Sequence, residues 1–207
     1  MIATPWGDAR AVISASAEPR LTLVLGHGAG GGIEARDLVA LATDLPLREV
    51  TVVRVEQPWR VAGRRVAGPP PTLDRAWLAV IEALGVDGPL VVGGRSAGAR
   101  VACRTASEVG AVGCVALAFP LHPPGRPGAS RIDELVGAGV PTLVVQGERD
   151  AFGGPKAFPR KRSGFVVRSI PGADHSFRVP ASMGQPTALE LVSSAVGDWL
   201  LRLPASL

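Results

Sequence analysis

A chain of 207 residues with 46% hydrophobic content has the length and apolar share for one domain with a sizeable core, residues 1–207, and two domains would be a squeeze. No apolar run is long enough to cross a bilayer, and the opening "MIATPWGDARAV" lacks the charged start and apolar centre of a leader, so a cytoplasmic protein without a membrane partner is expected. The net charge of +4 gathers in short clusters, Arg64 with Arg65 and Arg160-Lys161-Arg162, without interleaved aromatics or a nucleic-acid-binding signature; a solvated basic surface is expected rather than a nucleic-acid partner.

In chain order, the segment 6–15 reads as one or two antiparallel edge strands. A continuous apolar run over Leu21–Gly26 is the first clear strand and is followed by a helix-like segment, 34–44. Strand 50–55, helix 73–84, strand 90–93, helix 97–109, strand 111–118 and helix 131–137 continue the alternation. Strands 142–146 and Phe165–Ile170 and a final helix, 187–201, complete it. The strand runs are mostly continuous rather than alternating, as expected of strands covered on both faces, so the pattern predicts a mostly parallel central sheet in a three-layer α/β/α sandwich. "VAGRRVAGPPPTLD" and "FPLHPPGRPGAS" are Pro/Gly-rich loops rather than linkers, because apolar elements resume on either side. The two cysteines, Cys103 and Cys114, lie in apolar segments without metal-ligand spacing and are expected to be reduced, buried thiols.

In such sheets ligands bind beyond the carboxyl ends of the strands, so the residues just after each run carry the functional information. The first such stretch, "VLGHGAGGG", spells G-x-G-x-x-G from Gly26 to Gly31 and admits two readings, a pyrophosphate cradle or a loop of backbone donors for an oxyanion. Glu56, at the end of the next strand, stands where the cradle reading wants its acid. A second motif bears on the choice. Gly94 to Gly98 spells G-x-S-x-G between a strand and a helix, the spacing of a serine held on a sharp turn whose neighbours two residues away must be small.

A serine hydroxyl needs a base, and the base an orienting carboxylate. Of the three histidines, His175 alone follows the last strand; His27 precedes the glycines of the opening loop and His122 stands in a Pro-rich loop. Asp150 follows strand 142–146, with Glu148 and Asp174 as rivals for the carboxylate. The expectation is a Ser96, His175, Asp150 triad, with the backbone N–H groups of Ala29 and Ala97 forming the oxyanion hole and Gly28 competing with Ala29. His27, Gly28, Trp59, Arg95 and His122 are candidate pocket residues, each with a structural alternative: a loop brace for His27, a packed aromatic for Trp59, a carboxylate-paired arginine for Arg95 and a backbone-bonded imidazole for His122. The connection after strand 111–118 is too short for a helical cap, which predicts a shallow site without a cap domain. No metal or organic cofactor is called for.

"GHGAGG" (Gly26 to Gly31), "GGRSAGAR" (Gly93 to Arg100), "PLHPPGRP" (Pro120 to Pro127), "PTLVVQGERDAFG" (Pro141 to Gly153) and "GADHSF" (Gly172 to Phe177) together resemble the α/β-hydrolase superfamily over nearly the whole chain. More narrowly they resemble the small dienelactone-hydrolase-like group that includes testis-expressed protein 30 and the hydrolase-like domain of NSL complex subunit 3. The resemblance implies an α/β-hydrolase fold with that triad and oxyanion hole. Dienelactone hydrolases proper carry cysteine where this chain has Ser96, so their substrate does not transfer. The function expected is a serine hydrolase, a carboxylic ester hydrolase by type, acting on a small-molecule ester or thioester. The alternatives are a catalytically silent protein-interaction module on the same fold and a nucleotide-binding oxidoreductase.

Overall fold

A computed structural model describes residues 1–123, 125–126, 128–159, 164–183 and 185–203; the cluster Arg160-Lys161-Arg162 and two prolines of the His122 loop, Pro124 and Pro127, lie outside them. A seven-stranded sheet runs β1 (Arg10–Ser14), β3 (Val50–Glu56), β2 (Leu21–Gly26), β4 (Leu90–Arg95), β5 (Gly113–Leu117), β6 (Thr142–Gly147) and β7 (Phe165–Ile170). Only β1 is antiparallel, pairing with β3; every other neighbour is parallel. Segment 6–15 thus contributes β1, joined by an isolated Ile2 to Ala9 bridge.

The continuous apolar runs divide between two cores. Leu21, Leu23 and Leu25 of β2, Val91 of β4, Val115 and Leu117 of β5 and Leu143 and Val145 of β6 face one side, under α1 (Arg36–Asp44) and α6 (Gln185–Leu200). Val24, Val92, Cys114, Ala116 and Val144, one residue out of step, face the other, under α3 (Pro70–Leu84), α4 (Ala97–Thr105) and α5 (Ile132–Val136). Helical periodicity answers each face: Trp77, Val80 and Ile81 of α3, and Ala188, Val192, Val196 and Leu200 of α6, are buried at three- and four-residue spacings. Cys103 and Cys114 are buried free thiols whose sulfurs lie 3.9 Å apart between α4 and β5.

Several boundaries differ from the sequence pattern. The run Phe165–Ile170 is not covered on both faces: β7 is the sheet's last strand, and Val166 is 43% exposed. The helix over 97–109 ends at Thr105, and the turn residues that follow it run to Gly110, whose N–H donates to the Ser107 carbonyl and whose φ of 65° a residue with a Cβ rarely adopts. A single turn, α2 (Pro58–Val61), has no periodic signature; Pro58 starts it, as prolines also start α3 at Pro70, ahead of its apolar stripe. Among the described residues the connection from β5 to α5 contains no helix, so no cap covers the sheet's carboxyl edge. No described helix is long and apolar enough to cross a membrane.

Candidate active site

The turn from β4 into α4 carries Ser96 at φ 53°, ψ −111°, a conformation disfavoured for any residue with a Cβ. It is held by the Ser96 N–H, which donates to the Leu117 carbonyl at 2.9 Å, and by the Arg100 N–H, which donates to the Ser96 carbonyl at 3.2 Å. The flanking glycines are a packing requirement. A Cβ on Gly94 or on Gly98 would collide with the Gly26 carbonyl oxygen, and one on Gly98 would also lie 2.8 Å from the His27 carbonyl. The G-x-S-x-G spacing therefore lets the end of β2 pass directly behind the serine.

Two loops bring side chains to this turn. The Ser96 Oγ lies 3.0 Å from His175 Nε2, and His175 Nδ1 lies 2.8 Å from Asp150 Oδ2. His175 comes from the loop after β7, shaped by Asp174, whose Oδ1 accepts from the Ser176 and Arg178 amides at 2.7 and 2.9 Å. Asp150 comes from the loop after β6. Its fully buried carboxylate also accepts from Gln146 Nε2 at 2.9 Å and from the Phe152 amide at 2.8 Å, while the Phe152 ring packs 4.4 Å from the His175 ring, tilted by 57°. The rival carboxylates are engaged elsewhere. Glu148 accepts from the Gly172 amide at 3.0 Å, and Asp174 braces its own turn.

Arg95, the last residue of β4, joins the histidine loop to α1. Its Nε donates to Asp37 Oδ2 at 2.9 Å and its Nη2 donates to the His175 carbonyl at 2.9 Å. Asp37 is buried in the first turn of α1, where a negative charge also meets the positive end of the helix dipole. The carboxylate pairing is what the sequence offered as Arg95's structural alternative; the bond to His175 has no signature in the sequence. Neither do Gln146 and Phe152, although a buried glutamine closing the apolar run "TLVVQ" is the signal that points to Gln146.

His27 is buried and both ring nitrogens are occupied. The Gln57 amide donates to Nε2 at 3.2 Å, so Nδ1 carries the proton and donates to the Gly28 carbonyl at 2.8 Å. Burial pushes its pKa below the ordinary histidine value, outweighing the Gly28 carbonyl and Glu56. The imidazole is thus a neutral brace for the loop, with the Trp59 ring 5.4 Å from it. Gly28 backs onto the elbow: a Cβ built on it would lie 3.4 Å from Ser96 Cβ. The Ala29 and Ala97 amides make no hydrogen bond among the described residues. Glu56, the acid of the cradle reading, is paired with Arg10 at 2.9 Å. His122 is tied to the Asp150 loop, its amide donating to the Phe152 carbonyl at 3.1 Å and its Nδ1 lying 3.4 Å from the Pro123 carbonyl.

Two recesses lie beside the loops that follow β2, β3 and β4, and neither includes Ser96, His175 or Asp150. One, of about 480 Å³, lies on the β3 side and is lined in part by Trp59 and Gln57. The other, of about 320 Å³, lies on the α1 side and includes Gly31, Asp37, Arg95 and Ser176.

Known structures share this architecture. Est1E from Butyrivibrio proteoclasticus superposes with a TM-score of 0.78 at 19% identity, covering 97% of this chain and 96% of its own. An α/β serine hydrolase without lid from Xanthomonas campestris gives 0.71 at 20% identity, covering 100% and 94%. An α/β serine hydrolase homologue from Coxiella burnetii gives 0.73 at 18% identity, covering 93% of each. No curated protein matches the sequence. The family model described as an alpha/beta hydrolase domain matches residues 19–199, a span that begins just ahead of β2 and takes in the Ser96 elbow and both partner loops, and the chain belongs to that family.

Proposed function

We propose that the protein is a serine hydrolase that cleaves a small ester or thioester through an acyl-enzyme intermediate. The observation that carries the reading is the hydrogen-bonded line from Ser96 Oγ through His175 to the buried Asp150, assembled from three separate strand ends. His175 Nε2 takes the Ser96 proton as Oγ attacks the acyl carbon, and Asp150 keeps the other proton on Nδ1. The Ala97 amide at the start of α4 and the Ala29 amide of the glycine loop hold the oxyanion, both being donors without another partner among the described residues. Collapse of the tetrahedral intermediate breaks the acyl bond, and the leaving group departs with the proton from His175. Water then attacks the acyl-enzyme with His175 again as base, releasing the acid and regenerating Ser96. Every group in this cycle is a side chain or amide of the chain itself. The absence of a cap over the carboxyl edge suits acyl groups that are small or approach from open solvent.

A fluorophosphonate probe tests this directly. It is expected to label the protein at Ser96, with labelling abolished in Ser96→Ala, and the same substitution should lower turnover of an activated ester by roughly 10⁴-fold or more. Unlabelled wild-type protein would instead mark a catalytically silent interaction module on a hydrolase fold.

A further inference from the structure

Gln146, the fifth residue of β6, is fully buried on the face of the sheet that carries Val144. A polar side chain buried to that extent is costly unless its hydrogen bonds are made. Its Nε2 lies 2.9 Å from Asp150 Oδ2, 2.7 Å from the Gly153 carbonyl and 3.2 Å from the Phe119 carbonyl; all three are acceptors, so the nitrogen end of the amide is the end that faces them. Its Oε1 is buried without a donor among the described residues, a cost that an apolar side chain of similar size would not carry. The amide joins the loop after β6 to the end of β5, where Ala118 stands at φ 45°, and the His122 amide ties the same two segments by donating to the Phe152 carbonyl at 3.1 Å.

An aspartate carboxylate turns about its Cβ–Cγ bond, a torsion with a broad, two-fold preference, so a single hydrogen bond does not fix its plane. The Phe152 amide pins Asp150 Oδ1 at 2.8 Å. The side chain is fully buried, so the second anchor comes from the protein: Gln146 Nε2 donates to Oδ2, and the same oxygen meets His175 Nδ1 at 2.8 Å. Of the three acceptors around Nε2 the carboxylate forms the charge-assisted bond and holds one hydrogen, which leaves the other to the two carbonyls. We infer that Gln146 is a positioning residue of this site: its amide fixes the plane of the Asp150 carboxylate so that Oδ2 faces the imidazole, and through Asp150 it holds His175 on Ser96. The inference rests on the reading of Ser96 as nucleophile, but its spectroscopic test does not require turnover.

Gln146→Met removes both N–H donors at nearly constant volume. The readout is the His175 Nδ1 proton, followed by proton NMR in the whole chain carrying isotope-labelled histidine and assigned by its absence in His175→Gln. The bond to the carboxylate holds this proton downfield in the unaltered protein; in Gln146→Met it is expected to move upfield or to be lost to exchange with water, and fluorophosphonate labelling of Ser96 should slow about 10- to 100-fold. Val80→Ala, which opens the core under α3, lowers stability without touching the site and should leave both readouts unchanged. Should Gln146→Met fail to fold, Gln146→Asn, which keeps an amide but stops one methylene short of Asp150, carries the test with the same expectation. A resonance that stays in place in the Gln146 variant, labelling within twofold of the unaltered protein, or an equal response in Val80→Ala would overturn the inference. A shifted resonance in a chain whose unaltered form resists the fluorophosphonate would sink the hydrolase reading alone. Labelling at Ser96 with neither readout altered by the Gln146 substitution would sink this one alone.

Discussion

Asp150→Asn separates the charge of the buried carboxylate from its shape. The carboxylate meets three donors: His175 Nδ1 and Gln146 Nε2 at Oδ2, and the Phe152 amide at Oδ1. Asparagine offers one acceptor oxygen and two N–H groups, so its orientation decides the outcome. With oxygen toward His175, the asparagine NH2 faces the Phe152 N–H, leaving buried donors opposed at about 1–3 kcal/mol. With oxygen toward Phe152, the conflict dissolves. Gln146 has two hydrogens for three acceptors, Phe119 O at 3.2 Å and Gly153 O at 2.7 Å besides Asp150, and can release Asp150. His175 then moves its proton to Nε2 and accepts at Nδ1, which leaves nothing to receive the Ser96 proton. A preference of about 1–3 kcal/mol for that tautomer lowers the competent population roughly 5- to 150-fold. Loss of the negative charge opposite the imidazolium supplies the rest of an expected fall of roughly 10⁴-fold in fluorophosphonate labelling and ester turnover. Because each donor can be paired again, stability should change by less than about 1 kcal/mol in urea. Labelling within about tenfold of wild type, or a loss of several kcal/mol in stability, would refute the reasoning.

Gly98→Ala drives a Cβ into the Gly26 and His27 carbonyls, where only backbone can yield, and should lower unfolding stability by about 2 kcal/mol or more, whereas Gly30→Ala, with open space around it, should change it by less than about 0.5 kcal/mol. Urea midpoints read both. Arg95→Met frees the His175 carbonyl and should slow labelling of Ser96 about 10- to 100-fold; Arg95→Lys, a point donor that reaches one of the two partners, should remain slowed, and full rescue by lysine would count against a two-pronged clamp. Because burial lowers the pKa of His27 below 6.5, the unfolded chain binds a proton before the folded one does as pH falls. Its contribution is therefore complete above about pH 6.5 and declines toward the folded pKa, so thermal midpoints should drop on acidification and His27→Gln should flatten that slope.

Linear order and residue type were enough to define the architecture and most of the site's cast. Uninterrupted apolar runs imply strands buried on two faces, and such strands joined by amphipathic helices have one common solution, which the two cores on either side of the sheet display. The glycines around Ser96 were legible for a similar reason: a strained serine turn excludes side chains locally, whatever the rest of the chain does. Selection among like groups was different. Three imidazoles and three carboxylates stood as candidates, and a residue 79 positions from Ser96 becomes its hydrogen-bond partner only through the lateral order and register of β4, β6 and β7. Those same pairings aim Gln146 at Asp150 and Arg95 at the His175 carbonyl, and they leave β7 as a half-exposed edge despite its apolar run. Periodicity reports which face of an element is buried; it carries neither the distance between two strand ends nor the direction of their side chains, and a hydrogen bond requires both.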